Sequence, residues 1–164
     1  MLAPVNILPD ARAATAAAHI RRATIDDLGA LVELENSAFA IERISARQLR
    51  RHLESLSAEI FVATRDRQVV GAAVLFFRRG TRVARLYSIA VAADRRGSGL
   101  GMALLAVAEQ AARRRGSTCM RLEVRTDNLA ARHLYERFGY RDFGVRRRYY
   151  EDGCDARRYQ KALS

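Results

Sequence analysis

Arg95-Arg96-Gly97-Ser98-Gly99-Leu100-Gly101 is the stretch whose residue types and spacing can do chemistry. Ahead of it, Leu86-Tyr87-Ser88-Ile89-Ala90-Val91 reads as a buried strand. Behind it, Leu100, Ala103, Leu104, Val107, Ala108 and Ala111 recur at the spacing of one face of an amphipathic helix. The glycines therefore sit where a strand gives way to a helix. Backbone N–H groups without intrahelical partners point outward there, and the helix dipole adds partial positive charge. Glycine lets a ligand approach the backbone closely, and Arg96 adds a fork-shaped cation at the same end. Together these suit a diphosphate. The competing reading is a plain glycine turn. A P-loop would need Gly-Lys-Ser/Thr, which is missing, and a dinucleotide fingerprint would need glycine where Met102 stands. Glu123 would imitate the ribose-binding acid of that fingerprint. The loop, however, starts near residue 97 of 164, too late for a six-stranded dinucleotide fold.

The elements that must position this loop read as one α+β domain over 19–164, behind a flexible lead-in, residues 1–18, with Pro4, Pro9 and much alanine. His19 to Ala23 is a first strand. Thr24 to Asp27 has the form of a capping box, and Leu28, Leu31, Val32, Glu35 and Phe39 follow at helical spacing. Ser45 to Gln48 is a second box, opening a helix with Leu49, Leu53 and Leu56. Ile60 to Arg65 and Val69 to Arg78 flank Asp66-Arg67-Gln68 as a hairpin. Gly116 ends the central helix. In Thr118 to Arg125, Met120, Leu122 and Val124 face one way, and Cys119, Arg121, Glu123 and Arg125 the other. Asp127 can cap a helix whose face carries Ala131, Leu134, Tyr135 and Phe138, closed by Gly139. Tyr140 to Val145 and Ala156 to Leu163 are a final pair of strands joined by a loop.

A hydrophobic share of 49% with 29% charged residues suits a soluble globular chain, and no apolar run approaches the ~20 residues of a membrane span. Two cysteines make no disulfide framework, so a reducing cytoplasm is expected. His19, His52 and His133 are isolated, and no metal is implied. The net charge of +11 rests on arginine, with Lys161 the only lysine. It fits either an arginine-rich solvated surface or attraction to RNA, ribosomes or an acidic cofactor. The arginine runs lack aromatic interleaving, so nucleic acid is not the expected partner.

Arg96-Gly97-Ser98-Gly99-Leu100-Gly101 resembles the Q/R-x-x-G-x-G/A signature of GNAT acetyltransferases, which bind the pyrophosphate of acetyl-CoA there. Leu122-Glu123-Val124-Arg125, Asn128 and Leu134 to Tyr140 resemble the corresponding GNAT stretches, most closely those of the bacterial ribosomal-protein-alanine N-alpha-acetyltransferase type. The resemblance spans roughly His19 to Leu163 and is strongest from Ile89 to Tyr150. It implies a mixed, mostly antiparallel sheet of about seven strands with helices on both faces. It also implies acetyl-CoA as donor, held by Arg96, Gly97, Ser98, Gly99, Leu100, Gly101 and Met102, by the backbone of Ile89, Ala90 and Val91, and by Asn128 and Tyr135.

Acetyl transfer needs a neutral amine, and an α-amino group titrates near ~8 against ~10.4 for lysine. The resemblance makes Glu123 the base, directly or through water, and Tyr135 the acid that protonates the departing thiolate. Left to their own positions, Glu123 would neutralise Arg121 and Arg125, Tyr135 would be core, and Asn128 would be a turn or cap residue. Cys119 as a covalent acetyl carrier is the lesser reading, since direct transfer is simpler. The acceptor is expected to be a peptide or protein N-terminus, that of a ribosomal protein among them. The alternatives are a small amine, or a non-catalytic RNA-binding module. Monomer and homodimer both stay open. Ala40 to Ile44 lacks the Pro-Trp pair common in that type. The loop Glu151 to Cys154 is short, and the last strand, Ala156 to Lys161, is unusually basic.

Overall fold

A computed structural model describes residues 18–164. Residues 1–17, nearly all of the expected lead-in, lie outside the described residues. Ala18 packs against the core, partly buried. Seven strands form one sheet: β1 (His19–Arg22), β2 (Ala58–Arg65), β3 (Gln68–Phe77), β4 (Val83–Val91), β5 (Cys119–Arg125), β6 (Arg141–Arg146) and β7 (Ala156–Ala162). Their order across the sheet is β1-β2-β3-β4-β5-β7-β6. Only β4 and β5 run parallel; the other neighbours are antiparallel. Four α-helices accompany them: α1 (Leu28–Ala38), α2 (Ala46–Glu54), α3 (Leu100–Arg114) and α4 (Leu129–Arg137).

Both expected capping boxes form. Ser45 Oγ accepts from Gln48 N at 3.2 Å while Gln48 Oε1 accepts from Ser45 N at 2.9 Å. Asp27 accepts from Thr24 N at 2.8 Å and from both Arg21 guanidinium nitrogens at 2.8 Å. That box opens a short 3₁₀ turn, Ile25–Asp27, before α1. Asp66 and Arg67 both adopt positive φ, the turn geometry that matches strand twist in a two-residue hairpin. The cap of α4 differs from expectation. Asn128 accepts from Ala131 N at 3.1 Å, whereas Asp127 pairs with Arg125. Arg125 sits close enough in sequence to claim the Asp127 carboxylate, which leaves the neighbouring amide to cap.

Two apolar clusters sandwich the sheet. Ile60, Val62, Ala72 and Val74 join α1 and α2 on one face; Phe61, Ala63, Ala73 and Leu75 join α3 on the other. Leu104 and Leu105 of α3 are almost wholly buried, each side chain contributing about 1.5–3 kcal/mol. Gly71 permits this close seat: a Cβ there would meet Leu104 Cδ1 at 3.0 Å. Across the same side of the molecule, Lys161 Nζ reaches both Glu109 oxygens at 2.9 and 3.0 Å, and the Tyr140 hydroxyl donates to Glu109 at 2.9 Å. This polar knot ties β7 to α3.

Candidate active site

β4 and β5 stay in register for Val83–Cys119, Ala84–Met120 and Arg85–Arg121, and then part. Beyond that point β4 keeps pairing with β3, and β5 with β7. The β5-facing edge of Leu86 to Val91 therefore opens on a gap. A bulge sharpens the divergence: Val74 pairs Ser88 and Leu75 pairs Leu86, leaving Tyr87 as the extra residue. Expected donor contacts Ile89, Ala90 and Val91 lie on this open segment.

The glycine loop follows at the end of the gap. Gly97 and Gly99 take φ of +79° and +80°, a left-handed conformation that costs other residues about 1–2 kcal/mol. Ser98 closes the turn on Arg95, both its N–H and its hydroxyl donating to the Arg95 carbonyl. No side chain caps α3 at Gly99, so its first-turn N–H groups face outward. Arg96 Nε is buried without a partner. Leu100, Gly101 and Met102 form the first turn itself. An open N-terminus on a long helix, flanked by a guanidinium whose Nε lacks a partner, is a fit for a diphosphate.

Tyr135 lies in α4, 0% exposed, edge-on to Tyr140 at 5.4 Å. It is core, as its helical spacing suggests, yet its hydroxyl has no hydrogen-bond partner. Burial, with Tyr150 nearby, holds the phenol well above its ordinary pKa. Glu123, on the opposite face of β5, does not neutralise Arg121 and Arg125. Arg121 donates to Gln160 and Arg125 to Asp127 and Asp152. Glu123 instead meets Arg85 at 3.1 Å and Arg158 at 4.0 Å. The parallel β4–β5 register brings Arg85 alongside, which one strand's own alternation cannot reveal.

Next to Glu123 lies a cavity of about 30 Å³, lined in part by Glu35, Glu42, Tyr87, Ser88, Tyr149 and Tyr150. Glu35 was expected only as one position on a helix face. Its buried carboxylate accepts from Ile44 N at 3.0 Å, pinning the loop after α1. Burial raises its pKa above the ordinary carboxylate range, opposed by hydrogen bonds from Ile44 and Ser88. A carboxylate at an otherwise apolar helical position was the available signal. Tyr150 is buried with an unpartnered hydroxyl, its pKa raised by burial and by Tyr149. Glu42 Oε1 accepts from Glu151 N at 2.7 Å, joining the two loops that roof the cavity.

The profile of the acetyltransferase (GNAT) family matches residues 28–140. The chain belongs to the GNAT family. An N-alpha-acetyltransferase of Sulfurisphaera tokodaii is 30% identical to it over 148 residues, covering 84% of this chain and 88% of the relative. The crystal structure of the ribosomal-protein-S18-alanine N-acetyltransferase from Escherichia coli superposes with a TM-score of 0.81 at 30% identity, covering 90% of this chain and 94% of that one. The NatC complex bound to Gag peptide and CoA shares the fold, with a TM-score of 0.77 at 22% identity and coverage of 90% and 99%. This GNAT protein is thus an N-acetyltransferase with the seven-stranded mixed fold of its relatives. Such a reaction needs a proton acceptor beside the amine and a proton donor beside the thiolate. Glu35 is a buried carboxylate, Glu123 is a partly buried one paired with Arg85, and Tyr135 carries a buried phenol without a hydrogen-bond partner. Among the described residues no helix is long and apolar enough to cross a membrane.

Proposed function

We propose that this enzyme acetylates the α-amino group of a peptide or protein N-terminus, with acetyl-CoA as donor. The observation that carries the reading is the parting of β4 and β5. One gap thereby joins the open end of α3 to a carboxylate-lined cavity, with Tyr135 near Tyr150. Arg96, Gly97, Ser98, Gly99, Leu100, Gly101 and Met102 hold the pyrophosphate. Backbone groups of Ile89, Ala90 and Val91 hold the amide-bearing arm, and Asn128 reaches it from the start of α4. Acetyl-CoA supplies an acetyl group already activated as a thioester.

Glu123, oriented by Arg85, takes the proton of the α-ammonium directly or through water, and Glu35 supplies a second negative group to hold that ammonium. Backbone N–H groups on the open edge of β4 polarise the reacting carbonyl. Tyr135 then gives its proton to the thiolate. Burial that raises the phenol also raises a thiol in the same surroundings, so their proton affinities stay comparable.

A cavity of about 30 Å³ has room for one or two water-sized groups. It suits an amine head whose remaining chain lies outside, rather than a wholly enclosed drug or polyamine. The names of the archaeal and Escherichia coli relatives support an N-terminal acceptor. A ribosomal-protein terminus is the specific acceptor those names suggest. Free thiols at Cys119 and Cys154 fit a reducing cytoplasm. Thiol release should be followed with free N-terminal peptides, with N-blocked lysine peptides and with spermidine. Turnover is expected on free N-termini alone. Faster turnover of spermidine would establish the small-amine alternative.

A further inference from the structure

Helices cover both faces of β2, β3 and β4, but the far half of the sheet is covered on one face only. On β5, Met120, Leu122 and Val124 turn to the α3–α4 core. Register carries the other face across the strands: Arg121 lies opposite Gln160 and then Arg141, Glu123 opposite Arg158, and Arg125 opposite Ala156 and then Arg146. Among the described residues of β5, β6 and β7, Glu123 is the one carboxylate on this face.

The cations here are organised. Arg121 and Arg158 both lie against the Phe143 ring, their guanidinium carbons 5.0 and 4.5 Å from its centroid. Cation–π contact limits the freedom of both side chains, so little entropy remains to be lost on binding. Arg121 has a neutral partner, Gln160, and Arg158 stands 4.0 Å from Glu123. Arg146 reaches over Tyr149, which lines the cavity. Arg85 and Glu123 belong to cavity and face alike. The face therefore continues the acceptor cavity outward, for about 10 Å across three strands.

We propose that this face binds acidic residues just downstream of the acceptor's N-terminus, a specificity that rests on the N-terminal-amine reading above. With the amine beside Glu123, an extended chain advances roughly 3.4 Å per residue, so the next few side chains reach Arg158, Arg121 and Arg141. Carboxylates there gain charge-assisted, forked hydrogen bonds. A single-stranded RNA would instead want aromatic rings free to stack, and the Phe143 ring is already occupied by guanidinium groups.

The test uses the full chain and three C-terminally labelled peptides that start with alanine and continue acidic, neutral or basic. Fluorescence anisotropy should give about tenfold tighter binding of the acidic peptide than the neutral one at low salt, and weaker binding of the basic one. The contrast should close at 1 M salt, where the screening length is about 3 Å. Arg121→Glu should abolish or invert it. Arg141→Glu, on the exposed edge strand, does the same job should the first variant fail to fold. Equal affinity for all three peptides, or an undiminished contrast in the folded variants, overturns the proposal. So does tighter binding of a single-stranded RNA oligonucleotide than of the acidic peptide at the same salt. Thiol release on the neutral peptide judges the amine reading separately. Its absence on every peptide sinks that reading, while the binding contrast is still read on its own.

Discussion

The two halves of the sheet solve different problems. In the half from β1 to β4, the central strands β2 and β3 bury both faces: β3 is buried without interruption from Val70 to Leu75, and successive residues go to opposite clusters. In the half formed by β5, β7 and β6, burial alternates along β5, and the face away from α3 and α4 carries charge. On the proposed reading the first half is scaffold, the second is working surface, and the chemistry lies at the seam, where β4 and β5 lose each other's hydrogen bonds. A sheet that admits a long, thin donor there gives up pairing between one pair of neighbouring strands and keeps the others joined.

Substitutions can break or sharpen this contrast. The largest effect is expected from Tyr135→Phe. If it donates the proton as proposed, its loss should lower kcat by about 10²–10⁴-fold. Because the hydroxyl is buried without a partner, thermal stability should hold or rise. Unchanged turnover would return Tyr135 to the core and move the seam's chemistry elsewhere. Next, Leu75→Ala in the scaffold half should cost about 2–5 kcal/mol in urea unfolding, since the side chain is wholly enclosed. A small loss there would mean that the two halves do not differ in packing.

Glu35→Gln tests the burial of charge at the seam. Burial raises this carboxyl above its ordinary 4.5, so the folded state carries an unfavourable charge above the raised value. Below 4.5 the carboxyl is protonated in both states and that cost disappears. The variant keeps an acceptor for Ile44 N. Its melting temperature should exceed the parent's at pH 8 and match it near pH 4; an equal gain at both would remove the electrostatic cause. The smallest effect belongs to the working surface. Arg121→Ala should change stability by less than about 1 kcal/mol, and a loss as large as that of Leu75→Ala would count Arg121 as core.

Much of the scaffold half was legible along the chain because its signals are local. The boxes at Thr24 and Ser45, the turn at Asp66-Arg67 and the glycine stops at Gly116 and Gly139 each act within a few residues. The alternation of β5 was also legible, down to which residues face which way. What stayed hidden depends on pairing between distant segments. Glu123 finds Arg85 only because β4 and β5 run parallel, and Glu35 finds Ile44 only because the chain folds back after α1. Tyr149 and Tyr150 resemble residues that follow the sixth strand in the GNAT subgroup, but that they line the cavity beside Glu123 depends on the fold. Asp127 is the expected cap, and the ion pair with Arg125 that hands the role to Asn128 is not visible in the local pattern.

The knot that ties Lys161 to Glu109 has a consequence for an enzyme that handles activated acyl groups. Lys161 is the chain's single lysine, and its nitrogen is held by two carboxylate oxygens. Stray acylation requires a free, deprotonated amine, and none is presented by any side chain outside that clasp. Amine-directed reagents should accordingly mark Lys161 far more slowly than they mark a free lysine on a peptide.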